Sequence, residues 1–344
     1  MKNKEVTKQV VGIDIGKDKF YVCYKIKYSD FSVTIKGTSS FTNDYQGFTS
    51  FLDWCSKRDK NDDSLKLIFV MEATGVYYEE LAYFLYEKEK QVSVQLAKKL
   101  KYFAKGCNLK TKTDKVDAAM IADFGIEKNL TGTDLWEPPS NQFKMIRDLT
   151  REHTSLKNSQ TAAKLQLHAM EYSARYEPMV LELKKEQILF LSKQIELVEK
   201  ALRKKVSEDE IIANKIKRIE EIQGLGFMTI VKVITEVNGF ILFKNIRQLV
   251  SYAGLDVVEN QSGSHKGKTK ISKNGNARLR AALYMPALTS TKHNKTLKSF
   301  YERINENRAI KMQGVVAVMR KLLILIYTIW TKDVDYIDNY QGVK

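Results

Sequence analysis

Cysteine is scarce in this chain of 344 residues. There are three, Cys23, Cys55 and Cys107, and no two form a CxxC pair. That excludes a zinc ribbon and a disulfide framework, and it suits a reduced cytoplasm. Proline is nearly as rare: Pro138, Pro139, Pro178 and Pro286 are all there are. Long helices are therefore permitted, and each proline becomes informative about a break. The amino-terminal "MKNKEVTKQV" has no apolar signal core. The long apolar stretch "VVAVMRKLLILIYTIW" is split by Arg320 and Lys321, so neither piece is long enough to cross a bilayer. It reads as a buried helix, and no membrane partner is expected. Acid is also short: 41 Asp and Glu face 57 Lys and Arg, a net charge of +16. Such an excess calls for a polyanionic partner, most simply nucleic acid.

What is present divides at "WEPPS", residues 136–140, where Pro138-Pro139 disfavours helix on both sides. Before it, "QVVGIDIG", "KFYVCYKI" and "FSVTIKG" are β-branched and aromatic runs joined by short polar turns, as in a meander. "YQGFTSFLDWCSKR" has helical spacing, with Phe48, Phe51, Leu52 and Cys55 on one face. "LKLIFVM" (65–71) is a continuous apolar strand, expected at a sheet centre covered on both faces. A helix over 76–88, the strand "QVSVQL" and helices over 97–106 and 114–128 complete a mixed α/β domain, 1–137.

After the break the pattern turns helical. Leu149, Leu156, Ala163 and Met170 recur every seven residues, and Ile188, Leu191, Ile195, Val198 and Leu202 step 3-4-3-4. This is a coiled-coil seam, and Pro178 marks the turn of a hairpin over 138–210. The seam joins two helices of one chain or two subunits; spacing leaves both open. A third region, 211–344, is mainly helical. "IEEIQGLGFMTIVKVITEV" is helix, Gly224-Leu225-Gly226, helix, a helix-hairpin-helix pattern whose glycines let backbone N–H groups approach phosphate. A plain tight turn has the same signature. "DVVENQSGSHKGKTKISKNGN" reads as a polar loop.

Two acids end apolar strands: Asp14 in "GIDIG" and Glu72 in "VMEATG". Unpaired charge is unfavourable beside such runs, and ligands gather at strand ends in α/β sheets. Asp114 and Asp117 in "KTDKVDAAMIA" share one helix face, Asp114 at the helix entrance. Hard divalent cations prefer carboxylate oxygens, and four carboxylates match two Mg²⁺ ions, for which Mn²⁺ can substitute. Seven lysines from Lys98 to Lys115 flank these acids, either on a solvated face or against a nucleic-acid backbone. Between Ser262 and Arg280 stand Lys266, Lys268, Lys270, Lys273, Arg278 and His265, and no acid. A segment so basic attracts phosphate. Ser262 precedes Gly263, which allows close approach, but no Ser-His-Asp arrangement is visible to activate it.

In order, "GIDIGKDKF", "MEATGVYYEEL", "KTDKVDAAMIA", "GLGFMTIVKVITEV" and "SGSHKGKTKISKNGNARLRAALY" resemble the DEDD-type insertion-sequence transposases. That family includes pilin-gene invertases and bridge-RNA-guided recombinases. The resemblance spans nearly the whole chain. It implies an RNase H-like (RuvC-like) first domain in which Asp14, Glu72, Asp114 and Asp117 hold Mg²⁺. It implies that Ser262, with Ser264 its near neighbour, attacks DNA and becomes linked to phosphate, and that Arg280 binds the scissile phosphate. Lys266, Lys268, Lys270, Lys273, Gly224, Gly226 and, less directly, Arg278 become nucleic-acid contacts.

Target and donor DNA, a structured noncoding guide RNA, and dimers assembling as a tetramer on DNA at the bacterial nucleoid are its implied partners. Two other readings stay open on the residues. One is a structure-selective nuclease that uses the acids and water without the serine. The other is a non-catalytic nucleic-acid-binding protein.

Overall fold

Three ten-residue strands follow one another at the start of the chain: β1 (Val6–Ile15), β2 (Lys19–Tyr28) and β3 (Val33–Thr42). Then come α1 (Tyr45–Ser56), β4 (Ile68–Glu72), α2 (Glu79–Glu87), β5 (Gln91–Gln95), α3 (Ala97–Gly106) and α4 (Asp114–Glu127). The computed structural model describes residues 4–59, 65–73, 75–241, 243–267 and 269–337. The chain divides into two units, Met1–Pro138 and Pro139–Lys344.

In the first unit the sheet order is β3-β2-β1-β4-β5. β1, β2 and β3 pair antiparallel, while β4 is parallel to both β1 and β5. Residues 68–71 of β4 are all buried, as a continuous apolar run requires. Alternation along β1 and β4 serves two layers. Val11, Ile13, Phe69 and Met71 pack with Phe48, Phe51, Leu81 and Leu85 of α1 and α2. Val10, Ile68 and Val70 pack with Met120, Ile121 and Phe124 of α4.

The second unit begins with two long helices, α5 (Asn141–Glu171) and α6 (Pro178–Ser207), with Pro178 at the start of α6. His153 Nε2 meets Glu199 Oε1 at 2.8 Å and Gln160 Nε2 donates to Ser192 Oγ at 2.8 Å. Both pairs sum to the same register, so the helices run antiparallel. Ala163, Leu191, Ile195 and Leu202 are buried. These positions of the heptad pattern close within one chain.

The remaining elements are α7 (Glu210–Glu220), α8 (Phe227–Glu236), α9 (Ile246–Ala253), β6 (Val257–Val258), β7 (Gln261–Ser262), β8 (His265–Lys266), β9 (Lys270–Ile271), α10 (Ala277–His293), α11 (Lys295–Asn305) and α12 (Met312–Lys332). The segment expected as a polar loop is instead two short antiparallel ribbons, β6–β9 and β7–β8. Backbone pairing there needs no apolar face, so a period-2 signal was absent. By length and composition α12 alone among the described residues is apolar enough to cross a membrane. Val318, Leu322, Leu323 and Ile326 on it are fully buried in the core with Leu249, Leu279 and Leu283.

Candidate active site

Asp14 and Glu72 are neighbours because of strand register. β1 and β4 pair as Val10↔Ile68, Val11↔Phe69, Gly12↔Val70 and Ile13↔Met71. One further step along both strands brings Asp14 beside Glu72, at their carboxyl ends. The pleat puts Asp14 on the face of Val10 and Gly12, the face that α4 covers.

Gly12 brings α4 close. A Cβ at Gly12 would lie 2.2 Å from Ala122 N and 2.3 Å from Ala118 O. Only a residue without a side chain lets helix backbone approach strand backbone so closely. One at Gly125 would lie 2.5 Å from Val10 Cγ1. α4 therefore runs along β1 from Val10 at its carboxyl end toward Asp14 at its start. The buried Lys25 of β2 pairs with Asp123 at 2.6 Å and holds the same helix from the side. The first turn of α4, with Asp114 and Asp117, arrives at Asp14.

The helix entrance is capped by Thr113, whose hydroxyl accepts from Val116 N at 3.3 Å. Asp114 is the first helical residue rather than the cap. Thr113 has the extended backbone that a cap needs, and so takes that role.

Electrostatics report the convergence. The Asp14 carboxyl is pushed up to about 6, first by burial, then by Asp117, Asp114 and Glu72, with Lys112 opposing. Asp117 is raised as well, by burial with Asp114 adding and Lys112 opposing. Among the described residues, no three His, Cys, Asp or Glu side chains are grouped closely enough to hold a metal ion. The four carboxylates are gathered within mutual influence without being closed on a common point. Their chemistry fits a hard divalent cation. All are oxygen donors, and Asp14 is a half-buried carboxyl beside three other acids, a charge that a cation would relieve.

A cavity of about 310 Å³ opens here, lined by Asp14, Asp114, Lys17, Lys19 and Tyr21. Lys19 lies 5.2 Å from the centre of the Tyr21 ring and is raised by its hydrogen bond to Tyr21, with Asp114 contributing. Lys17 and Lys19 were not singled out in the sequence. The signal was the short turn "GKDK" directly after the acid-bearing strand. Asn43 was also missed. Its amide donates to Gly16 O at 3.1 Å, Lys17 O at 3.4 Å and Tyr77 O at 3.0 Å. It ties the turn after β1 to the turn after β4, beside both strand-end acids. Tyr77 is exposed, whereas Tyr78 packs against the core.

Ser262 lies in the second unit. It pairs across a tight ribbon with His265, and Gly263 at φ +56° makes the turn. Ser262 is exposed at this tip. Lys270 and Lys273 are exposed on the same basic segment. Of Lys266 the backbone is described and not the side chain, and Lys268 lies outside the described residues.

The base of the ribbon is clasped. Asn276 N donates to Tyr252 O at 2.7 Å, Lys273 N to Gly254 O at 3.1 Å and Ser272 N to Asp256 O at 2.9 Å. Ser272 Oγ donates to Asp256 Oδ1 at 2.5 Å. Arg280 Nη1 donates to Ala253 O at 2.8 Å, so one amino group of that guanidinium is committed to the fold.

Glu236 and Asn276, both missed in the sequence, organise this clasp. Asn276 Oδ1 accepts from Leu279 N at 3.1 Å, capping α10, while Nδ2 donates to Glu236 Oε2 at 2.9 Å. Glu236 also takes a forked bond from Arg151, at 3.0 and 3.3 Å. Burial pushes the Glu236 carboxyl up, but the hydrogen bonds from Arg151 and Asn276 outweigh it and hold the group below its usual value. The signal available was an acid ending an apolar helix, the same kind that marked Glu72.

Gly224 has φ +100°, and a Cβ there would lie 2.3 Å from Ser290 Oγ. That close approach between the α7–α8 turn and α10 accounts for this glycine by itself. At Gly226, the residue before α8, a Cβ would meet nothing within 4 Å.

Two transposase family models match the chain. The DEDD transposase model of the IS110 group matches residues 11–170, and the transposase model of the IS116/IS110/IS902 family matches residues 216–302. The chain is 29% identical to the pilin gene-inverting protein of Moraxella bovis over 332 residues, covering 94% of this chain and 96% of that one. It has the same identity and coverage with the pilin gene-inverting protein of Moraxella lacunata. It is 32% identical over 128 residues to the transposase for insertion sequence element IS1111A of Coxiella burnetii, covering 35% of this chain and 34% of that protein. The first match takes in β1 through α4 and the second takes in Gly224, Ser262 and Arg280, so the acid-bearing sheet and the serine ribbon both lie within one family: the chain belongs to the DEDD-type IS110 transposases.

Proposed function

We propose that this transposase is a divalent-metal-dependent, site-specific DNA recombinase that cuts by a serine nucleophile. The observation that carries the reading is the meeting of Asp14 and Glu72 at the ends of paired β1 and β4 with the first turn of α4, brought in over Gly12. The sheet order β3-β2-β1-β4-β5, with its antiparallel and parallel halves, fits an RNase H-like domain with acids at the ends of β1 and β4. Asp14, Glu72, Asp114 and Asp117 are the residues that would hold Mg²⁺ or Mn²⁺. When bound, such cations polarise a phosphate and stabilise a leaving oxygen.

Lys17, Lys19 and Lys112 steer the DNA backbone to this acid-rich mouth, which would otherwise repel it. Ser262 Oγ attacks phosphorus, an O–P bond to serine forms, and the P–O bond to one DNA end breaks. The serine proton leaves to solvent, and the departing DNA oxygen takes a proton. The phosphoserine link keeps the bond energy, so a second DNA end can reverse the step and rejoin. Arg280 contacts the scissile phosphate through the part of its guanidinium not bonded to Ala253. Lys270 and Lys273 hold the flanking backbone, and Gly226 with the start of α8 offers N–H groups to phosphate.

A structured noncoding RNA that pairs with target and donor DNA supplies sequence choice; the net charge of +16 supports the binding of both polyanions. Leu183, Phe190 and Leu197, seven residues apart on α6, are exposed. They support contact between subunits, and so the dimers and tetramer.

The test is adduct formation. Enzyme, RNA, Mg²⁺ and labelled DNA are mixed and denatured. A DNA–protein adduct lost in Ser262→Ala and kept in Ser264→Ala is expected. Cleavage at full rate by Ser262→Ala sinks the serine step. The second reading, a nuclease using metal-activated water, is favoured by one observation: all four acids lie within the first unit. It predicts that same full-rate cleavage without adduct.

A further inference from the structure

A second cavity, of about 400 Å³, opens among α5, α8 and α10 of the second unit, away from the serine ribbon's tip. Arg151, Lys232, Arg278 and Glu236 supply its charges, and Ser155 and Asn158 add neutral polar groups. Arg151 and Glu236 neutralise each other through their forked bond. Half-buried Lys232 and exposed Arg278 add two more positive charges, and Lys157 a third nearby; Arg278 acts on Glu236 and Glu199 acts on Lys232, but neither cation is bonded to an acid.

No acceptor or acid among the described residues lies within bonding distance of either cation. The nearby Glu199 is engaged with His153. Lys232 is half-buried, and its proton is held less firmly than usual, because of burial and then because of Lys157. A cation withdrawn from water beside a second cation is unfavourable unless something anionic comes to it. Lining donors are available to such a group. The Thr150 and Thr154 hydroxyls donate to helix carbonyls, whereas Ser155 and Asn158 are exposed and bond to nothing described. Ala281 and Ala282 keep the floor low.

We infer that this cavity is a phosphodiester-binding site, in which Lys232 and Arg278 hold backbone phosphate of a nucleic acid that runs past the serine ribbon. The inference rests on the transposase reading for its ligand class. Two positive charges with no acid bonded to them suit adjacent backbone phosphates. The floor has no aromatic side chain to stack a base, so contact is with backbone and carries no sequence preference. The site also touches the clasp, because Glu236 is shared with Asn276, the cap of α10.

The experiment measures binding of the full chain to duplex DNA and, in a second arm, to folded RNA, across a salt series. Lys232→Gln, Arg278→Gln and Asn158→Asp are compared with wild type. The last places an acid in the cavity from an exposed position, so it does not threaten the fold. Each of the first two should lower the slope of log K against log salt by about 0.9 on duplex DNA, and by about 0.7 to 0.9 on the folded RNA, according to how much of the contacted backbone is single-stranded. At 0.15 M salt that is roughly a fivefold loss for duplex, equal across unrelated sequences. Asn158→Asp should weaken binding similarly. The arm that responds identifies which nucleic acid occupies the cavity. Unchanged affinity and slope for all three variants in both arms, with wild type binding normally, overturns the inference and leaves the recombinase reading intact. A wild-type chain that binds neither polymer overturns both.

Discussion

Replacing Asp14 by Asn should make the metal-free protein more stable while abolishing strand cleavage. The carboxyl moves from an ordinary 3.8 to about 6 on folding. A difference of roughly two pH units corresponds to roughly 3 kcal/mol, at about 1.4 kcal/mol per unit. Asp14 borders an open cavity, so solvent screens part of this, and about 2 kcal/mol is the expected gain. The sign follows from proton binding. The folded state binds the proton more tightly than the unfolded state does. The wild-type protein is therefore penalised above pH 6 and gains stability as pH falls from about 7 to about 4.

Urea unfolding in EDTA, followed by tryptophan emission and circular dichroism, should show Asp14→Asn more stable at pH 8. The difference should have fallen to about 1 kcal/mol at pH 4.5 and be gone below about pH 3.5. Added Mg²⁺ should stabilise wild type by mass action and the variant much less. A variant equally stable to wild type at pH 8, or one whose gain persists undiminished at pH 4.5, would show that burial and the neighbouring carboxylates do not penalise the Asp14 charge as described.

Gly12→Ala forces a Cβ into the α4 backbone at Ala122, so a loss of about 3 kcal/mol or more is expected in thermal or urea unfolding. Wild-type stability there would refute the close packing of α4 on β1. Glu236→Gln breaks a buried charged network and should cost about 2 kcal/mol near pH 7. Because the Glu236 carboxyl is held below its usual value, the stability it contributes is lost as pH falls through the acid range, and the variant should lack that loss. Gly224→Ala should cost about 2 kcal/mol, from its positive φ and from Ser290, with little effect on affinity for DNA. Phe190→Asp with Leu197→Asp should shift the protein toward monomer in sedimentation, without loss of helix by circular dichroism.

The strand runs, the apolar β4 buried on both faces, the break at Pro138-Pro139 and the two long helices were legible from periodicity and proline alone; that β1 and not β4 is the central strand was not. They depend on local preference and on burial of one face or two. The four acids could be named from their places at strand ends and on one helix turn. Their proximity could not, because it depends on β1–β4 register and on Gly12 admitting α4, both long-range facts. The clasp of Glu236, Asn276, Tyr252 and Arg151 was illegible for the same reason: its members come from four helices or their caps and share no spacing. The serine ribbon was read as loop because pairing of two-residue strands leaves no apolar alternation.

By itself, then, the sequence determined the helices and the long strands, the excess of positive charge, and which acids end buried runs. The tertiary structure decided which of those acids meet, which glycines are compelled by backbone contact, and which cations have no acid bonded to them. The physical reason is range. Propensity and burial act along a few turns of chain, whereas carboxylate repulsion, helix-on-strand approach and the capping of α10 by Asn276 act between residues that only folding brings within a few ångströms.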